Sequence, residues 1–217
     1  MYCVVDCRMI SCSRWVELGE SMKFHINLAK YAKAPTEFRF LNGNSIRLGY
    51  PDESDRDSRN HDALLSSLNY MDGGGTPLCQ HIRAVISSIR PIADELRSNG
   101  QKACLIIATD GESSDGDIAE AMRPLKDLPV WVVIRLCTNE DKIVSYWNSI
   151  DEQLELNMDV IDDLCGEAQE VCSNNPWLTY GEPLQRLREF GCHVKELDQL
   201  DEAKLTNGQL LRVCQVM

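Results

Sequence analysis

Apolar residues near the start of the chain recur at helical spacing. The positions three or four residues apart are Trp15, Leu18, Met22, Ile26 and Ala29. This spacing predicts an amphipathic helix over residues 14–33. Two short strands, 37–41 and 45–48, are predicted on either side of a turn at Asn42-Gly43-Asn44.

Unbroken apolar runs mark buried strands of a parallel sheet. One run, Leu105-Ile106-Ile107, predicts a central strand over 102–109 that is covered on both faces, and a second predicts a strand over 130–136. Residues 2–5 form a shorter run that leads to Asp6. A long helix is expected from Leu78, with Thr76 as its N-cap, Pro77 at its first position and a kink at Pro91.

The remaining segments continue the alternation. Loop 51–60 is followed by helices 61–70, 117–125, 140–153, 164–172, 183–190 and 201–213, with strands at 156–161 and 193–197. The alternation predicts a doubly wound α/β fold with a mostly parallel sheet and helices on both faces. At 217 residues and without a linker, the chain is expected to form one domain, 1–217, in which residues 139–217 are an acidic C-terminal extension.

The formal charge of −12 comes from 34 acidic and 22 basic residues, and its excess lies late in the chain. Between Glu140 and Glu202 there are sixteen acidic residues and four Lys or Arg. This balance argues against binding to nucleic acid or to an anionic membrane. A solvated acidic surface is the favoured interpretation, ahead of a dedicated acidic interface.

Cysteine usage and hydropathy indicate a compartment. The ten cysteines are scattered, and several lie inside apolar strands, so most are expected to be reduced and buried. No apolar run reaches the roughly 18–20 residues that a membrane span needs, and the chain does not begin like a signal peptide. We therefore expect a cytoplasmic protein.

Acidic side chains follow two of the predicted strands. Asp6 follows the first strand, and Thr109-Asp110-Gly111 follows the strand that contains Ile107. Ligands of open α/β sheets bind at the carboxyl ends of the strands. Between these two segments lies the loop Gly73-Gly74-Gly75-Thr76, which favours a turn over a phosphate cradle because its neighbours are acidic and no Lys follows.

These features resemble a von Willebrand factor A domain, which is Rossmann-like and carries a metal-ion-dependent adhesion site. The resemblance covers residues 1–137. It implies that Asp6, Thr76 and Asp110 bind one Mg²⁺ or Mn²⁺ through oxygen, and that the open coordination position receives a carboxylate of a partner protein. The residues expected to face that partner are Arg8, Ser11, Ser13, Gly75, Gly111 and Glu112.

The chain departs from the family pattern at two metal ligands. Arg8 and Ile10 stand where the family has serines, which leaves a thin shell for Mg²⁺. The Arg8 guanidinium is a candidate to lie between Asp6 and Asp110 and to replace the cation. Two further interpretations are that Arg8 points to solvent, and that residues 7–12 are a wrongly predicted start of a longer gene product.

Two functions from different classes follow from these residues. The favoured one is a non-enzymatic protein-binding module that uses the metal site or its arginine-substituted remnant. The alternative is a metal-assisted hydrolase or phosphotransferase with paired Asp6 and Asp110. Such enzymes need either an acid two residues after the nucleophilic Asp or an Asp-Asp pair with a downstream Lys. Arg8 and Glu112 stand two residues after Asp6 and Asp110, which is only a partial match.

Overall fold

A computed structural model of the protein describes residues 14–69, 73–138, 140–154, 156–192 and 194–216. The predicted first strand lies outside these residues. The described chain divides into two compact units, one formed by residues 14–85 and 112–122 and the other by residues 86–111 and 123–216. The prediction of a single domain stays a prediction.

The first unit combines helices with an antiparallel hairpin. Its elements are α1 (Arg14–Ala32), β1 (Thr36–Arg39), β2 (Ser45–Leu48), α2 (Asp57–Ser67) and α5 (Ile118–Met122), and α3 (Leu78–Ile89) begins in it. Phe38 lies opposite Ile46 in the hairpin, which confirms the two predicted strands. A cluster of buried residues that includes Ile26, Leu48 and Leu64 joins the hairpin to α1 and α2.

The second unit contains a three-stranded parallel sheet flanked by helices. The strands are β3 (Ala103–Thr109), β4 (Val130–Leu136) and β5 (Met158–Ile161), in the order β3-β4-β5. Among the described strands β4 is the central one, with Ile107 opposite Ile134 and Val133 opposite Asp159. The prediction that β3 is covered on both faces is wrong, because Ile106 is 38% exposed.

The helices of the second unit match most of the sequence predictions. At Pro91, where the sequence predicts a kink, α3 ends and a 3-10 turn at Arg90–Ile92 separates it from α4 (Ala93–Ser98). The later helices are α6 (Asp141–Leu154), α7 (Leu164–Asn174), α8 (Glu182–Glu189), α9 (Lys195–Asp198) and α10 (Asn207–Val216). The strand predicted over 193–197 is wrong, since residues 195–198 are helical; His193 lies outside the described residues. The expected loop 51–60 is also partly wrong, because α2 begins at Asp57.

Two of the sequence predictions concern the burial of the cysteines and the length of apolar helices. Of the ten cysteines, the structure describes the side chains of six, which are free. The expectation of burial is wrong for Cys104, Cys165 and Cys172, which are exposed. Within the described part of the chain, no helix is both long and apolar enough to span a bilayer.

Candidate functional site

The segment Thr109-Asp110-Gly111 lies at the carboxyl end of β3, as predicted. Thr109 is buried, and its Oγ1 contacts both the carbonyl oxygen of Gly111 (3.2 Å) and the Gly111 N–H (3.3 Å). Trp147 of α6, which is fully buried, donates its indole N–H to the same Gly111 carbonyl (3.2 Å). These contacts hold the turn in place, and Asp110 is left exposed beside it.

The glycine loop is anchored within the first unit. The Thr76 N–H donates to Ser114 Oγ (2.8 Å), and the Ser114 N–H donates back to the Thr76 carbonyl oxygen (2.9 Å). Gly75 adjoins this pair, and a Cβ at Gly75 would lie 3.1 Å from Ser114 Oγ. The loop is therefore held by polar contacts to the segment that follows β3 in sequence.

Asp115, and not Thr76, caps the N-terminus of α3. Helix α3 begins at Leu78, and the Asp115 carboxylate accepts hydrogen bonds from Cys79 N–H (3.0 Å) and Gln80 N–H (2.8 Å). Free N–H groups at a helix start bind anions. The predicted N-cap role of Thr76 is thus wrong, and a carboxylate of the chain itself takes the place where an outside anion would bind.

The pKa of Asp115 reflects these contacts. Burial alone would raise the pKa, but hydrogen bonds from Ser113 Oγ and from the backbone of Gln80 and Cys79 outweigh it and lower the pKa of Asp115 to about 2. Ser113 Oγ lies 2.7 Å from the carboxylate. Hydrogen bonds to the charged form favour that form, so Asp115 is a structural anion at neutral pH.

The predicted metal ligands fall in different parts of the chain. Thr76 belongs to the first unit and Asp110 to the second. Glu112 is exposed at the start of the segment that returns to the first unit. Four predicted site residues lie outside the described residues: Asp6, Arg8, Ser11 and Ser13. Their convergence with Asp110 stays a prediction.

Oxygen donors such as Thr76 Oγ1 and Asp110 suit Mg²⁺ or Mn²⁺ by chemistry. Among the residues that the structure describes, no group of three or more His, Cys, Asp or Glu side chains is arranged to hold a metal ion. The predicted set includes Thr76 and Asp6, and Asp6 lies outside the described residues, so the metal site stays a prediction.

A second polar centre, absent from the sequence predictions, surrounds Arg188 of α8. The Arg188 side chain is 1% exposed and donates to Glu167 Oε2 (2.6 Å), Asp159 Oδ1 (3.1 Å) and Asp201 Oδ2 (3.3 Å). Tyr180 Oη accepts a longer hydrogen bond from it (3.4 Å). One guanidinium thus connects β5, α7 and the segment after α9.

Arg186 and Glu189 of the same helix form a buried triad with Arg135 of β4. Glu189 is fully buried and accepts hydrogen bonds from Arg135 Nε (2.7 Å) and Arg186 Nη1 (2.7 Å). Arg135 of β4 also donates to the Asp162 carbonyl oxygen (3.0 Å), at the carboxyl end of β5. Breaking such a pair leaves an uncompensated buried charge. The triad therefore ties α8 to the sheet.

A cavity of about 290 Å³ lies beside the end of β5. Seven of its lining residues are acidic: Asp151, Glu152, Asp162, Glu167, Glu170, Asp201 and Glu202. Two buried oxygens, Asp162 Oδ1 and Asp201 Oδ1, have no hydrogen-bond partner among the described residues. The expected solvated acidic surface is therefore wrong for part of this region, where Asp159, Glu167, Glu189 and Glu196 are buried.

Burial raises the pKa values of several of these carboxyl groups. It raises the pKa of Glu167 to about 8, although Arg188 opposes the shift. It raises the pKa of Asp151 and of Asp162 to about 6, helped in each case by neighbouring carboxylates. Desolvation and like charges both disfavour the ionised form, so this region retains protons at a pH where exposed acids have lost theirs.

Sequence reasoning missed this centre because its residues have the composition of a surface helix. Gln185, Arg188 and Glu189 share one face of α8 at helical spacing, and all three are buried. The sequence did contain one indication of this centre, namely the small number of basic residues between Glu140 and Glu202. Four basic residues among sixteen acidic ones make each Arg in this region a candidate partner for several carboxylates.

Comparisons with protein-family models, with curated proteins and with solved structures found no match to this chain.

Proposed function

We propose that this chain is a non-enzymatic protein-binding module, built as a doubly wound domain of the von Willebrand factor A type, whose partner docks at the carboxyl end of the sheet. The observation that supports it best is the position of Asp110. It is exposed directly after β3, on a turn that Thr109 and buried Trp147 hold from two sides. Such strand ends are where α/β sheets bind ligands.

The neighbouring strands contribute polar groups at the same edge. Because β3, β4 and β5 are parallel, their carboxyl ends meet there. Glu140 is exposed soon after β4, and its N–H donates to Thr138 Oγ1 (3.2 Å). Asp163 follows β5 and caps α7 through Cys165 N–H and Gly166 N–H. The edge is therefore acidic and needs a positive group to bind an acidic partner.

The proposal has two forms, which differ in that positive group. In the first, Mg²⁺ or Mn²⁺ bound by Asp6, Thr76 and Asp110 receives a carboxylate of the partner. In the second, the Arg8 guanidinium takes the place of the metal and receives that carboxylate through paired N–H groups. Both forms require Asp110.

Site-specific photo-crosslinking tests the proposal. A photoreactive amino acid at position 140 is placed beside the proposed binding edge, and the chain is expressed in its native cells. We expect a discrete crosslinked partner that Asp110→Asn abolishes and Asp94→Asn does not, because Asp94 is an exposed residue of α4. Crosslinking that Asp110→Asn leaves unchanged would refute docking at this edge.

The same assay separates the two forms. If crosslinking is lost in EDTA and restored by Mg²⁺, the metal form is correct. If EDTA has no effect and Arg8→Gln abolishes crosslinking, the arginine form is correct.

A further inference from the structure

The buried centre around Arg188 has fewer positive than negative charges. Arg188 contacts three carboxylates, those of Asp159, Glu167 and Asp201, at 2.6–3.3 Å. Their side chains are 9%, 2% and 12% exposed. Three carboxylates that share one cation away from water cannot all ionise without a large cost from desolvation and mutual repulsion.

Further acidic groups from several elements line or adjoin the cavity that contains Glu167. They are Asp159 on β5, Asp162 after β5, Asp151 and Glu152 on α6, Glu170 on α7 itself, and Asp201 and Glu202 after α9, while Arg188 and Tyr180 are the other titratable neighbours. Arg135 reaches the same region through the carbonyl oxygen of Asp162. Protonation is one way to remove a carboxylate charge from this cavity, and a protonated carboxyl also gains a donor.

We propose that this carboxylate cavity is a proton-operated switch: while Glu167 holds a proton, α7 and α8 stay closed around Arg188, and loss of that proton loosens them. The closed arrangement joins Glu167 to two elements at once. Its Oε2 accepts from Arg188, and its Oε1 accepts from the Asp162 N–H (2.9 Å). Both contacts by themselves favour the ionised form, so the cost of a charge on Glu167 comes from its burial and from Asp159 and Asp201, which share the same guanidinium.

The sign of the pH dependence follows from the same groups. Burial raises the pKa of Glu167 in the fold to about 8 from an ordinary value of 4.5. An acidic group whose pKa is raised by folding stabilises the fold fully below its unfolded-state pKa. That stability is lost as pH rises toward its folded-state pKa. Asp151 and Asp162, with pKa values of about 6, lose most of their protons at lower pH than Glu167 does. The interval from pH 6 to 8 therefore reports mainly on Glu167.

Hydrogen–deuterium exchange between pH 6 and pH 8, corrected for the intrinsic exchange rate, tests the switch. In the wild type we expect the opening constant of α7 and α8 to rise by about tenfold per pH unit, the slope for one proton. Glu167→Gln, which mimics the protonated group, should remove most of that rise. Asp94→Asn, at an exposed position in the same unit, should keep it.

An infrared titration of the wild type adds a readout that needs no variant. We expect the carbonyl stretch of a protonated carboxyl group to persist at pH 7 and to vanish near pH 9. If that band is absent at pH 7, or if the opening constant is flat or falls from pH 6 to 8, Glu167 is ionised by Arg188 throughout and the switch is refuted.

Discussion

The indole N–H of Trp147 donates to the carbonyl oxygen of Gly111 across 3.2 Å, linking α6 to the turn that presents Asp110. Trp147 is fully buried, so the contact fixes one side of the proposed binding edge. The part-buried Gly111 carbonyl keeps its contact with Thr109 Oγ1 (3.2 Å) when the indole donor is lost, so only part of the desolvation penalty applies.

Trp147→Phe should therefore destabilise the protein by about 2 kcal/mol, from the lost hydrogen bond and the smaller ring. It should also speed amide exchange at Gly111. Urea denaturation and hydrogen exchange measure the two effects. Ser145→Ala, at an exposed position on the same helix, should stay within about 0.5 kcal/mol of the wild type. An equal effect of both variants would show that the indole contact is unimportant.

Asp115 should titrate with a midpoint of about 2 in the folded protein. Its folded-state pKa lies below the ordinary value of 3.8, so the stability it contributes is present above 3.8 and is lost as pH falls toward 2. Carboxyl NMR shifts measure the midpoint. Ser113→Ala removes one hydrogen bond to Asp115 and should move the midpoint upward, and no movement would contradict the assigned cause.

Asn175 joins the end of α7 to the segment before α10. Its fully buried amide donates to the carbonyl oxygens of Leu200 and Ala203 (both 2.8 Å) and accepts from the Leu205 N–H (2.9 Å). Asn175→Ala leaves these backbone groups unpaired and should cost about 3 kcal/mol in urea denaturation. Ser173→Ala, at an exposed position nearby, should cost less than about 0.5 kcal/mol.

Arg188→Met should destabilise the fold by about 3–5 kcal/mol at pH 8, because buried carboxylates lose their cation. Adding Glu167→Gln should recover part of the loss, since one of those charges is then absent. Arg97→Met is the matched control, because Arg97 pairs with Asp94 at the surface, and it should cost about 1 kcal/mol or less. Strictly additive effects of Arg188→Met and Glu167→Gln would mean that the two groups are not coupled.

Hydrophobic spacing predicted most elements of the fold because burial determines them locally. The run from Val130 to Leu136 is a strand with the predicted bounds, and α1 ends within one residue of the expected position. The strand predicted over 193–197 failed because Val194 and Leu197 pack into a hydrophobic cluster with Leu200 and Leu205, a contact that short-range pattern does not reveal.

The candidate site was predictable in part. Asp110 at the end of β3 follows from strand pattern alone. The cap by Asp115 and the contact of Arg188 with Glu167 do not, because each joins residues more than twenty positions apart in sequence. The sequence around the buried Arg188 is the same kind of sequence that surrounds an exposed Arg. Only the tertiary contacts show that Arg188 is buried.

The most direct test of the proposed binding edge is a crystal structure grown with Mg²⁺, in which the point between Asp6 and Asp110 is inspected for electron density. We predict that the two carboxyl groups face each other across a positive group, either the metal or the Arg8 guanidinium. Carboxyl groups that lie on different faces of the molecule, with neither cation between them, would contradict the proposed site and its binding function.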